Sequence, residues 1–218
     1  MIDLSTWLPL YENRLAETFS DRVCFVGLQG SYARGEATES SDLDLVVILD
    51  TLAPHDIRAY RDALDTLPHR EKLCGFLSGK AELQTWDAGD LFQFYHDTTP
   101  IQGKLEDIIT LPGAQAAAQA VKIGACNLYH GCVHNMIYGK KKHTLAGLYK
   151  SATFLIQAAH YLRTGCYIRS REELMAAVPA DEREILEIFV HLKRGGEVRL
   201  DEMSDKLFTW VQKLIAVK

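Results

Sequence analysis

The hydrophobic pattern of this 218-residue chain changes character once, at Thr110-Leu111-Pro112-Gly113, and that change constrains the fold more than any other feature. Before it, short β-branched runs alternate with amphipathic stretches of helical period. After it, nearly every apolar residue recurs at helical spacing. Pro-Gly is a strong breaker pair, so the boundary falls there. The sequence therefore predicts an α+β domain over residues 1–112, with a mixed sheet and helices, followed by an all-α bundle over 113–218. The length is enough for two small cores.

Within the first part, Leu4, Leu8, Tyr11 and Leu15 recur at helical spacing and predict an opening helix. Arg22 to Leu28 reads as a buried strand, Asp44 to Leu49 as a second, and Leu73 to Leu77 as a third. Pro54 starts a helix carrying Ile57, Tyr60, Leu64 and Leu67 on one face, and Asp90 to Tyr95 reads as a short helix. In the second part, Ala117, Val121, Ala125, Leu128 and Cys132 stripe one helix, and Leu148, Ala152, Leu155, Ala159 and Leu162 the next, with Gly165 as its cap. Capping boxes are expected at Ser170–Glu173 and Asp181–Glu184. Gly195-Gly196 ends one helix and Asp201 begins the last.

Charge follows the same division. Residues 1–112 hold 9 Lys/Arg and 19 Asp/Glu, a net of −10, while 113–218 hold 15 and 10, a net of +5. An acidic half can hold cations and a basic half can face phosphates. Five cysteines without a C-x-x-C pair argue against a disulfide framework or a zinc ribbon. No basic n-region precedes an apolar stretch, and no apolar run approaches the length of a membrane span, so a soluble, cytoplasmic protein is expected.

The chemistry sits in Gly30-Ser31-Tyr32-Ala33-Arg34-Gly35, five residues, then Ser41-Asp42-Leu43-Asp44-Leu45, between the first two strands. Alternation sends Asp42 and Asp44 to one face and Leu43 and Leu45 to the other. Two adjacent carboxylates repel, and a hard divalent cation removes the conflict: Mg²⁺ prefers one or two carboxylates plus waters and substrate phosphates. Two such ions, about 3.5–4 Å apart, would activate an attacking oxygen and stabilise a leaving one. Glycine lets backbone N–H groups approach phosphate oxygens, Ser31 offers a hydroxyl, and Arg34 adds a planar cation. Ser41 braces the aspartates or caps the turn.

The pattern G-S-x-x-R-G-x₅-S-D-x-D-L resembles the signature of the DNA polymerase β-like nucleotidyltransferase superfamily. The likeness is nearest to aminoglycoside nucleotidyltransferase-like proteins and minimal nucleotidyltransferases. It implies Mg²⁺ bound by Asp42 and Asp44, and triphosphate contacts from Gly30, Ser31 and Arg34. The helical half resembles the HEPN-type bundle appended to such domains, from which Lys150 would reach the triphosphate. The superfamily also supplies a third carboxylate from a later strand. Among Glu82, Asp87 and Asp90, Glu82 lies nearest the third strand and is taken as that catalytic acid.

Other residues carry less. Cys126, His130 and His134 share a helix face at ligand spacing, but partly buried packing is preferred to Zn²⁺. Lys140-Lys141-Lys142-His143 lacks interleaved aromatics and reads as a solvated loop rather than a nucleic-acid arm. Arg183 and His191 are too far apart for the R-x₄₋₆-H ribonuclease motif. Tyr161 and Tyr167 could line an acceptor cleft, and Trp210 is better read as core. The expected activity is transfer of a nucleoside monophosphate from a Mg²⁺-bound nucleoside triphosphate, ATP first, to a hydroxyl of an aminoglycoside-like small molecule. The rivals are an antitoxin-type protein AMP-transferase and a catalytically weak nucleotide-binding module. No membrane or nucleic-acid partner is indicated, and a homodimer is left open.

Overall fold

The computed structural model describes residues 1–216. Its elements run α1 (Leu4–Phe19), β1 (Val23–Gln29), α2 (Gly30–Ala33), β2 (Leu43–Leu49), α3 (Pro54–Leu64), β3 (Leu73–Gly79), α4 (Lys80–Gln84), α5 (Ala88–Asp97) and β4 (Thr99–Gln102). Then follow α6 (Ala114–His134), α7 (Lys142–Thr164), α8 (Arg171–Ala177), α9 (Ala180–Lys193) and α10 (Leu200–Ala216). This is the α+β organisation, with every strand in the first part. Among the described residues, no helix is long and apolar enough to cross a membrane.

The chain divides into two compact units, one of Met1–Trp86 with Asp97–Leu111, the other of Asp87–His96 with Pro112 onward. The second cut lies beside Pro112-Gly113, but most of α5 is counted with the helical unit. The reason is packing: Phe92 of α5 is fully buried against Ala116, Ala117 and Ala158, and Asp87 caps its first turn by accepting from the amides of Gly89 (2.9 Å) and Asp90 (3.1 Å).

In the first unit a four-stranded sheet runs β3-β2-β1-β4. β1 is antiparallel to both neighbours and β2 is parallel to β3. Leu43, Leu45, Val47 and Leu49 pack on Trp7, Tyr11, Leu15 and Phe19 of α1 and on Leu64 and Leu67. Val46 and Ile48, facing the other way, are also fully buried. A strand covered on both faces reads as a continuous apolar run, which is why β2 stands out in the sequence. Ile57 does not join this core; at 52% exposure it faces solvent, and Ala63 and Leu64 bury instead.

Arg22 closes one end of the sheet. It donates to both carboxylate oxygens of Asp56 (2.7 and 3.1 Å), to Asp50 (3.1 Å) and to the Thr51 carbonyl (2.9 Å). Asp56 is buried and also accepts from the Ala53 amide (2.9 Å), bracing the first turn of α3. The Arg22 hydrogen bond, and then that amide, hold the Asp56 carboxyl down at about 2.

In the second unit α6 and α7 pack antiparallel through small-to-large pairs: a Cβ at Gly124 would overlap Leu155, and one at Gly131 would meet Leu148 at 2.7 Å. Tyr149 donates to the Met203 carbonyl (2.8 Å) inside a core that includes Leu174, Phe189, Leu207 and Trp210. Trp210 is therefore core. Gly165 caps α7 in the left-handed region (φ 72°), and Ser170 accepts from the Glu173 amide to cap α8. Asp181 does not cap α9; Pro179 holds that position and Asp181 lies in the first turn, because proline's fixed φ already suits a helix start.

Asp56→Asn is expected to lower the melting temperature at neutral pH. A carboxyl whose folded-state pKa is depressed stabilises the fold above its unfolded value, near 4, and loses that contribution as pH falls toward 2. Melting curves of the two proteins should therefore differ at pH 7 and converge between pH 4 and pH 2. A constant difference across that window would remove Asp56 from the clamp.

Candidate functional site

The turn from β1 into β2 is closed by its own backbone. Gly30 has φ 68°, a left-handed conformation that turns the chain sharply out of β1. The Gly30 carbonyl accepts from the Arg34 amide (3.3 Å), the Ser31 carbonyl from Glu36 (2.8 Å), and the Tyr32 carbonyl from Gly35 (3.2 Å). The Tyr32 hydroxyl accepts from the Ile2 amide (2.9 Å), pinning the turn to the N-terminal segment. Downstream, the Ser41 hydroxyl accepts from the Thr38 amide (2.9 Å), while its amide donates to the Thr38 carbonyl (3.0 Å). Ser41 thus caps the turn that delivers the chain into β2.

Asp42 immediately precedes β2 and Asp44 is its second residue. Leu43 and Leu45 are fully buried in the face covered by α1, while Asp42 is exposed and Asp44 half-buried. The alternation puts the two carboxylates together on the opposite face. A Cβ at Gly30 would overlap Oδ2 of Asp44. The Asp44 carboxylate therefore lies directly over the Gly30 backbone, next to Ser31, and only glycine leaves room for it. The glycine turn and the two aspartates, 12 and 14 residues further on, form one site.

This donor set fits a hard divalent cation. Two carboxylates from one strand edge suit an ion that keeps several waters and takes further oxygens from phosphates. Among the described residues, no group of three or more His, Cys, Asp or Glu is placed to hold a metal.

Glu82 does not belong to this site. It lies in α4, just after β3. Because β3 runs parallel to β2, its end at Gly79 pairs with Leu49, whereas Asp44 pairs with Cys74. Five residues of strand, about 17 Å, separate the two ends, and the Glu82 carboxylate packs on Gly79. The parallel register, and not nearness in sequence to the end of β3, sets which residues lie near Asp44. β3 itself, Leu73-Cys74-Gly75-Phe76-Leu77-Ser78-Gly79, contains no acid.

Arg34 is largely buried, with 8% of its side chain exposed, and its Nε pairs with Glu36 at 3.3 Å. Lys150 stands on the exposed side of α7 in the second unit, with Tyr149 beside it in the core. Cys126, His130 and His134 face solvent instead of packing. Tyr161 and Tyr167 pack edge-on to Phe92 at 4.9 and 5.7 Å. Nothing in the local pattern disclosed β4, which supplies Thr98 at its margin. The Gln29 amide donates to the Thr98 hydroxyl (2.8 Å), and Gln29 is the residue of β1 in register with Asp44.

Residues 11–111 match the nucleotidyltransferase domain family. The chain is similar in fold to the crystal structure of spectinomycin adenyltransferase AAD(9) from Enterococcus faecialis with ATP and spectinomycin, with a TM-score of 0.65 at 12% identity, over 98% of this chain and 99% of that one. No curated protein matches the sequence.

Gly30→Ala and Gly35→Ala separate strain from fit. Both glycines have left-handed φ (68° and 70°), but nothing lies within 4 Å of a Cβ at Gly35. Each substitution should cost about 1–2 kcal/mol in chemical denaturation. Only Gly30→Ala should also weaken Mn²⁺ binding, by roughly tenfold or more, through displacement of Asp44. Equal Mn²⁺ affinity in the two variants, read by electron paramagnetic resonance, would count against the Gly30–Asp44 contact as a functional one.

Proposed function

We propose that this chain, whose residues 11–111 match the nucleotidyltransferase domain family, transfers a nucleoside monophosphate from a magnesium-bound nucleoside triphosphate to a hydroxyl of a small-molecule acceptor. The observation that carries the proposal is the Asp44 carboxylate seated on Gly30, with Asp42 on the same face and Ser31 adjoining.

Asp42 and Asp44 are read as the metal ligands. A bound Mg²⁺ would supply charge neutralisation at the phosphoryl oxygens. The Gly30–Ser31 backbone and the Ser31 hydroxyl hold the triphosphate in line, and Arg34 adds a cation beside it once phosphate oxygens compete with Glu36. The acceptor oxygen forms a bond to the α-phosphorus, the bond to the bridging oxygen breaks, pyrophosphate leaves, and the acceptor's proton passes to solvent. Positioning and fixed charge do most of this work. Lys150 is read as a further triphosphate contact.

The choice of ATP and of an aminoglycoside-like acceptor is supported by the structural neighbour, which was crystallised with ATP and spectinomycin. The net charge of −10 on residues 1–112 suits a polycationic acceptor. A second reading, nucleotide binding with little turnover, is favoured by one observation: the strand beside β2 offers Cys74, not a carboxylate, in register with Asp44.

Incubation with α-phosphate-labelled ATP, Mg²⁺ and a panel of acceptors should release pyrophosphate and label a small molecule. Label on protein would favour the antitoxin-type reading, and saturable binding without turnover the binding module. Asp42→Asn with Asp44→Asn should lower turnover at least about a hundredfold with the fold intact by circular dichroism. Undiminished metal–nucleotide binding in that double variant would refute the assignment.

A further inference from the structure

We infer that the site holds a single divalent cation per bound nucleotide, and that Cys74 marks the position whose chemistry excludes a second. The inference rests on the metal–nucleotide reading of Asp42 and Asp44 and adds the number of ions.

The sheet fixes which residues can share an ion with Asp44. β2 has a strand on each side, so the same-face neighbours of Asp44 are its partners across β1 and β3 and the residues two before and two after it. These are Gln29 on β1, Cys74 on β3, Asp42 and Val46. Only Asp42 is an anion. Gln29 spends its amide on Thr98 (2.8 Å), and Val46 is fully buried. Two residues before Cys74, in the turn that leads into β3, Lys72 brings a cation, whose Nζ donates to the Glu39 carbonyl (2.7 Å).

Two divalent ions about 3.5–4 Å apart repel in proportion to the product of their charges. Sites that tolerate this surround the ions with bridging anionic oxygens. A second ion, placed to act on the attacking oxygen, would need further anionic ligands from the protein. Here the protein provides two carboxylates, no more than a single Mg²⁺ takes from protein alongside waters and phosphates. Sulfur is a poor ligand for Mg²⁺, and Cys74 does not complete a mixed set, because no three His, Cys, Asp or Glu side chains among the described residues converge on a metal position.

Mn²⁺ counting tests this without relying on turnover. With saturating ATP analogue carrying a methylene bridge between the α- and β-phosphates, electron paramagnetic resonance should find one Mn²⁺ per chain. Two per chain would overturn the inference while leaving the nucleotide reading in place. None would remove the nucleotide reading itself. Cys74 is exposed on the edge strand β3, so Cys74→Asp should fold, checked by circular dichroism, and should raise the count to two. Cys74→Ser should leave it at one. A Cys74→Asp protein that folds and still binds one Mn²⁺ would overturn the role given to that position, and the wild-type count decides the rest if the variant does not fold.

Discussion

The seating of a carboxylate on a glycine backbone is the constraint from which the rest of the first unit follows. Asp44 can lie over Gly30 only if residue 30 lacks a Cβ, only if β1 and β2 are antiparallel, and only if Gln29 and Asp44 are in register. A slip of one residue would turn Asp44 toward α1 and move Leu45 onto the face that carries the aspartates. Burying Leu43, Leu45, Val47 and Leu49 against α1 prevents that slip, so the hydrophobic core also holds the register of the polar site. The self-bonded turn from Gly30 to Glu36 and the cap at Ser41 then fix the length of chain between the two halves of the motif.

The sheet separates stability from chemistry along its length. At one end, Arg22 gathers Asp50, Asp56 and the Thr51 carbonyl, tying the start of β1 to the end of β2 and the start of α3. At the other end Asp44 is seated over the Gly30 backbone, with Asp42 on the same face. The Arg22 clamp and the two aspartates thus lie at opposite ends of β2. Two carboxylates held close together repel, and on the proposed reading a divalent cation relieves that repulsion.

Much of this was legible in the sequence for identifiable reasons. β2 announces itself because both its faces are buried, and the glycine-serine and aspartate elements flank it at spacing that only a strand-turn-strand can use. Gly165 and Ser170 act as caps because their requirements are local. What was not legible depends on pairing. β4 is four residues long and contains Pro100, so it has no run to detect and lies at an edge where proline is tolerated. Glu82 was chosen by its nearness to β3 in the chain, whereas a parallel strand presents its far end there. Ile57 fits the helical stripe of α3 yet faces solvent, because the core side of that helix is set by Ala63 and Leu64 and by the clamp on Asp56.

Charge also orders the encounter on the proposed reading. Arg34, the one cation of the glycine turn, is largely buried and paired with Glu36. The face presented to a ligand is dominated by Asp42 and Asp44. A free triphosphate meets like charge there, whereas a triphosphate carrying a divalent ion brings the countercharge with it. Recognition would therefore begin with the metal–nucleotide complex. On the same reading, phosphate oxygens arriving beside Arg34 would compete with Glu36 for a guanidinium already held by that pair. A buried, preformed ion pair of this kind costs little reorganisation when its carboxylate partner is exchanged for phosphate. The acid following the Arg-Gly step, outside the recognisable motif, thereby becomes part of how the motif is kept ready.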